Sequence, residues 1–162
     1  LSGMTSASMP SGSVLQVVSV IKTDTFTTSS QSFVDITGLS VSITPTSASS
    51  TILVTVSANL STTEHASARL MRDTTPIAIG TASGIRIPCT FNIAKMDTNQ
   101  QESYVTTYSD SPSTTSTTTY KLQLAVQNSA SYIVKCNQTP NDNNAVYIGR
   151  TVSTITVMEI AG

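Results

Sequence analysis

Residues 51–60 read Thr-Ile-Leu-Val-Thr-Val-Ser-Ala-Asn-Leu, and this stretch decides the fold. Ile52, Val54, Val56, Ala58 and Leu60 alternate with Leu53, Thr55, Ser57 and Asn59. A period of two gives a strand with one apolar wall and one wall that is mostly hydroxyl-bearing. β-Branched residues dominate, and neither Gly nor Pro interrupts the run. Such a strand needs a second sheet over its oily face, because alone it leaves that face wet.

The pattern recurs on both sides of this stretch. Ser13–Lys22 predicts a first strand that is apolar on both flanks, so a neighbouring subunit could supply one of its covers. Residues 32–37 and Leu39–Thr44 predict two short strands around Gly38, the second stopped by Pro45. Ala66–Asp73 could be read as a short helix, but a strand is preferred because Asp73–Pro76 then turns it into Ile77–Gly80. Ile85, Ile87, Cys89, Phe91 and Ile93 predict one long strand over 85–95, with Pro88 marking an edge or a bulge. Ser103–Ser109 and Thr119–Gln127 follow, the latter with Tyr120, Leu122, Leu124 and Val126 inward. Ser131–Cys136, Ala145–Gly149 and Thr151–Ile160 close the series. No segment carries a sustained helical period with caps. About nine to eleven short strands predict an all-β fold, a two-sheet antiparallel sandwich of jelly-roll type. Residues 1–12 read as a linker or the end of a preceding shaft, and 13–162 as a single sandwich domain.

Composition narrows the function. Ser and Thr make up about a third of the 162 residues, and only 10% are charged. Hydroxyls on outward faces solubilise a sheet without charge, a composition more common in exported or virion β-proteins than in cytosolic enzymes. The net charge is −1 and the eight Lys and Arg never cluster, so no nucleic acid is expected as partner. Apolar runs such as Ile52-Leu53-Val54 are far too short to span a bilayer, and no membrane insertion is expected. Cys89 and Cys136 lack metal-ligand spacing, and their pairing is open. No cofactor and no metal are expected.

Catalytic constellations are thin. His65 is the sole histidine and no Gly-x-Ser-x-Gly elbow accompanies it, which leaves an exposed loop histidine as the simpler reading. Glu64, Asp73, Asp97, Glu102, Asp110 and Asp142 fall in separate predicted turns, as solvated acids do. Asn141-Asp142-Asn143-Asn144 lacks the alternating carboxylates, the glycine and the closing Glu of a calcium loop, and reads as a turn. Asn59-Leu60-Ser61 and Asn137-Gln138-Thr139 match the glycosylation sequon. Tyr104, Tyr108, Tyr120, Tyr132 and Tyr147 could stack on sugars, or fill a core or a subunit seam.

The chain contains the runs Pro10-Ser-Gly-Ser-Val-Leu-Gln-Val-Val, Lys22-Thr-Asp-Thr-Phe-Thr-Thr, Phe33-Val-Asp-Ile-Thr-Gly-Leu, Ser40-Val-Ser-Ile-Thr-Pro and Arg69-Leu-Met-Arg-Asp. Asp110-Ser-Pro-Ser-Thr-Thr, Thr119-Tyr-Lys-Leu-Gln and Arg150-Thr-Val-Ser-Thr-Ile-Thr-Val-Met-Glu-Ile follow. Together these runs resemble a widespread type of phage structural domain. The likeness covers residues 10–161, and such domains commonly end tail-fibre or other virion fibre proteins. The resemblance implies a non-enzymatic virion component, homotrimeric, in contact with other virion proteins, that displays loops to a host-surface glycan or other receptor. A capsid decoration or head-fibre module without a receptor is the alternative, and a depolymerase fragment a third class. The low charge suits a neutral polysaccharide better than an anionic one. The expected receptor-binding loops are Asp110–Thr118, with Ser111 and Ser113, and Asn137–Asn144, with Asn141, Asp142, Asn143 and Asn144. Val17, Val18, Tyr104, Tyr108 and Tyr120 are the expected trimer seam.

Overall fold

The computed structural model describes residues 9–162. The expectation of a linker therefore lies outside the described residues over 1–8. Among the described residues there is no helix, and eleven strands follow in order. These are β1 (Val14–Lys22), β2 (Phe26–Thr28), β3 (Val34–Ile43), β4 (Thr51–Thr62), β5 (Ala66–Arg72), β6 (Thr75–Ile77), β7 (Phe91–Ile93), β8 (Glu102–Asp110), β9 (Thr118–Val126), β10 (Val134–Cys136) and β11 (Ser153–Ile160).

The strands make two antiparallel sheets packed face to face. In the first, β4 lies between β11 and β8, and β1 forms the edge beyond β11. Beyond the start of β11, β10 takes over the same flank of β4 and carries β2 outside it. In the second sheet β9 lies between β3 and β5, and β6 and β7 share the remaining edge of β5. The alternation read in residues 51–60 is what joins the two. Ile52, Val54, Val56, Ala58 and Leu60 are fully buried, and they belong to one cluster with Tyr120, Leu122, Leu124 and Val126 of β9. Ile36, Leu39, Val41 and Ile43 of β3 and Ile155 and Val157 of β11 complete its middle. Each such aliphatic side chain contributes about 1.5–3 kcal/mol by leaving water.

Three local expectations are corrected. The strand expected over 85–95 is only Phe91–Ile93; Ile85 is fully exposed and Ile87 45% exposed. The edge of β5 explains this, since β6 pairs with Leu70–Arg72 and leaves only Ala66–Ala68 for β7. Residues 78–90 leave the sheet as an excursion instead, turning at Ser83–Arg86 with Gly84 at φ +59°. Ala145–Gly149 is not a strand but consecutive turns, closed by Ala145 N to Asn143 O (2.9 Å) and Ile148 N to Ala145 O (3.0 Å). The two short strands expected over 32–37 and 39–44 merge into one strand, β3, whose register against β9 shifts between Asp35 and Ser40. Gly38 absorbs that shift at φ +80°, a conformation that side-chain-bearing residues rarely adopt.

Two buried polar clusters lock one end of the sandwich. Glu159 is fully buried on the inner face of β11 and accepts from Gln16 Nε2 (2.6 Å), Thr46 N (2.7 Å), Thr46 Oγ1 (2.8 Å) and Ser50 Oγ (2.7 Å). It thus fastens the 44–50 connection, which runs from β3 to β4, onto β11 and β1. Beside it Asp110 accepts from Arg72 Nη1 (2.8 Å) and Tyr120 Oη (2.7 Å), tying the end of β8 to β5 and β9 across the two sheets. Burial, reinforced by the neighbouring Asp110 carboxylate, pushes the Tyr120 phenol up.

Candidate functional site

The pairing registers give the sandwich two distinct ends. At the near end lie the starts of β1, β4 and β9 and the finish of β3, β5, β8 and β11. The chain passes here through Gly12 and Ala161, joined by Gly12 N to Ala161 O and Ala161 N to Ser13 O, both 2.8 Å. Ser111 and Ser113 are exposed in the near-end loop between β8 and β9. Asn141–Asn144 lie at the opposite, far end, in the long connection between β10 and β11. The two expected receptor-binding loops are therefore at opposite ends, and the structure does not bring them together.

The far-end connection is built on a buried base. Asn137 is fully buried at φ +62°, where its side-chain Nδ2 donates to Lys22 O and Asp24 O (both 2.9 Å) and its Oδ1 accepts from Ser153 Oγ (2.7 Å). Asn and Asp tolerate this left-handed conformation better than other non-glycine residues, which explains the residue type at the corner. With its amide consumed, Asn137 is a structural residue; as a sequon it offers no free side chain. Asn59 is engaged too, accepting from Ser103 Oγ and donating to Val152 O. Further along, Lys135 Nζ donates to Pro140 O (2.8 Å), Asn141 N to Thr98 O (2.8 Å) and Asp142 N to Thr139 Oγ1 (3.1 Å).

Asp142 pairs through both carboxylate oxygens with the Arg150 guanidinium. The hydrogen bond from Arg150 outweighs partial burial and holds the Asp142 carboxyl below its ordinary range. This acid is therefore part of a fork-to-fork pair that pins the loop. Asn143, Asn144 and Val146 stand free beyond it, and Tyr147 is 70% exposed. An exposed phenol ring and two exposed primary amides in one loop offer a stacking face and both donors and acceptors, the chemistry that holds a sugar ring. His65 is exposed between β4 and β5, and neighbouring Glu64 is paired with Lys95.

The expected seam divides. Tyr120 is fully buried and hydrogen-bonded to Asp110, so it is a core residue and cannot line a subunit axis. The alternation of β9 put it inward; the hydroxyl could still be satisfied because Asp110 lies across the sandwich. Val18 also points inward, level with Val157, and packs on the core. Tyr104 and Tyr108 lie half-buried on the inner side of edge strand β8, and Tyr104 stacks at 5.5 Å against Phe91. Only Val17 points away from the core, 54% exposed.

Val17 belongs to a larger feature. The outward positions of β1, β11, β4 and β8 carry no charged residue. They form rows across the sheet: Val17, Met158, Leu53 and Ser109; then Ser19, Thr156, Thr55 and Thr107; then Ile21, Thr154, Ser57 and Val105. In the middle row Ser19 and Thr156 hydroxyls meet at 2.7 Å, and those of Thr55 and Thr107 at 3.1 Å. The second sheet differs, presenting Asp35, Lys121, Gln123 and Arg69 outward, with Lys121 Nζ 2.8 Å from Asp35 Oδ2. The sequence of Val14–Ile21 is apolar on both sides, but only the registers reveal which outward side chains of other strands join it.

No family model matches this chain, and no curated protein matches it. The likeness to phage fibre domains rests on the runs quoted above.

Proposed function

We propose that this chain is the distal domain of a phage virion fibre, a non-enzymatic homotrimeric module that presents its far-end loops to a host-surface glycan. The observation that carries this reading is the separation of the two ends. The N-terminal segment runs into β1 at the near end, while Asn143, Asn144 and exposed Tyr147 stand at the far end. A domain mounted on a shaft through its near end directs the other end outward. The uncharged outer face of β1, β11, β4 and β8 supports assembly, because a broad face with apolar rows and no charge favours burial against a copy of itself. A fibre brings three chains to its end, and closed threefold symmetry gives each copy one identical seam. The seam is then Val14, Val17, Ile21, Leu53, Met158 and Val105 rather than tyrosines.

A jelly-roll wiring accords with this reading. The orders β1-β11-β4-β8 and β3-β9-β5-β7 support it, and viral capsid and lectin domains share that architecture.

Binding of the purified chain to a broad microbial glycan array tests the reading. The parent is expected to bind a restricted set of glycans. Replacing Asn143, Asn144 and Tyr147 together by alanine should weaken that binding at least about tenfold, the equivalent of about 1.4 kcal/mol. These side chains hold no core contact, so the melting temperature should stay within a degree or two of the parent. A chain that binds no glycan in any form is a decoration module instead.

A further inference from the structure

We infer that the pocket between the 78–90 excursion and the outer face of the second sheet is a subsite for a carboxylate-bearing sugar. The inference rests on the glycan-binding reading and names the chemistry of one of its ligands. The cavity is about 430 Å³ and is lined by Ser67, Arg86, Ile87, Cys89, Asn92 and Gln127. That size falls among small-ligand sites. Ser67 and Gln127 lie on the outer face because Ala66, Ala68, Leu124 and Val126, their neighbours in the strands, face the core. Gln127 N bonds His65 O, which puts this pocket on the flank of the far end.

The lining is matched to an acceptor. Gln127 Nε2 is buried without a hydrogen-bond partner, the sole such side-chain nitrogen or oxygen among the described residues. Buried amide donors are almost always paired in folded proteins, so a lone one on a residue that lines a cavity marks where a ligand oxygen belongs. Arg86 forms none of the ion pairs among the described residues; its Nη1 reaches only Ser83 O (3.4 Å) and Ser83 Oγ (3.2 Å). The remaining guanidinium donors are free for a carboxylate, the group whose two oxygens fit that fork. No acid lines the pocket to oppose an anion. Ser67 and Asn92 add a hydroxyl and an amide for ring hydroxyls, and Ile87 offers an apolar wall to ring C–H groups. The overall charge of the chain favours neutral polysaccharide; this pocket is the exception.

Cys89 gives the test a reporter inside the cavity. It is a half-buried free thiol in the pocket wall, whereas Cys136 is fully buried. Maleimide should therefore alkylate the native full chain at Cys89. Glucuronic acid and N-acetylneuraminic acid should slow that alkylation and give a saturable calorimetric signal, at least tenfold tighter than glucose and weaker as salt is raised. Acetate, which lacks the ring, should not protect. Arg86→Ala should remove the preference for acid over neutral sugar with the melting temperature unchanged. Gln127→Leu should weaken sugar-acid binding while the melting temperature holds or rises, because an unpaired buried donor is removed. Sugar acids that bind no better than glucose, or Arg86→Ala binding that equals the parent's, would overturn the proposal. If the glycan array shows binding that Arg86→Ala leaves intact, this subsite alone fails. If sugar acids protect Cys89 but no glycan binds through the far-end loops, the subsite stands and the loop reading fails.

Discussion

Replacing Val54 by aspartate leaves no folded protein at neutral pH. Val54 is fully buried in the middle of β4, level with Tyr108 on one side and Val157 on the other, facing the second sheet. An ionised carboxylate there has no cation or donor to meet it, so it either carries an unpaired buried charge or takes up a proton at a cost. Even neutral, an unbonded polar group costs roughly 2–7 kcal/mol, to which the lost aliphatic burial adds. A domain of ordinary stability has only about 5–15 kcal/mol to lose. Leu124→Asp is expected to behave the same way from the other sheet. Thr55→Asp is the control, since Thr55 is the next residue but points outward beside Thr107, and this variant should fold. Circular dichroism and thermal melts read all three, and a cooperative melt for Val54→Asp near the parent's would show that the inward face is misassigned.

The second large effect belongs to Glu159. Burial by itself would raise its carboxyl pKa, but hydrogen bonds from Gln16, Ser50 and Thr46 outweigh burial and hold it below its ordinary value of 4.5. The folded protein thus binds the proton more weakly than the unfolded chain. The stabilisation is complete above the unfolded value and is lost as pH falls through the lower folded one. Glu159→Gln puts an amide NH₂ among donors and leaves some without an acceptor, at a cost of about 3 kcal/mol. For a domain of this size that lowers Tm by roughly 6–12 °C. The variant should also lose part of the acid sensitivity, so its Tm at neutral pH is lower and its decline as pH falls below the ordinary carboxyl range shallower. Parallel curves for the two proteins would mean that the carboxylate does not fasten the 44–50 connection.

Much of the fold is legible because it depends on period two. β4 and β9 announce both inner faces, and each inward residue named for them, from Ile52 to Val126, is buried. What the residues do not announce is pairing. Ile85 and Ile87 satisfy the same alternation as Phe91 and Ile93, yet the edge of β5 has room for only one short partner there. Nor does local sequence distinguish Tyr120 from a seam residue, because its partner Asp110 is ten positions away on the opposite sheet. Glu159 reads as the one acid in an otherwise hydroxyl and aliphatic strand, which is a signal, but its donors lie more than a hundred residues earlier. The site divides in the same way. Asn143 and Asn144 are visible as a polar loop, whereas the pocket around Gln127 and the uncharged sheet face exist only once distant strands are laid side by side.

That face carries the central claim, that three copies of this chain meet through the outward side of β1, β11, β4 and β8. Light scattering on the purified chain over a range of low concentrations tests it most directly. The expected mass is three times the 17.0 kDa chain, falling to that of one chain when Val17→Lys sets a charge in the row with Met158 and Leu53. The lysine should leave folding intact, since its position is outside the core. A mass of one chain for the parent at every concentration, with Val17→Lys indistinguishable from it, would contradict the account.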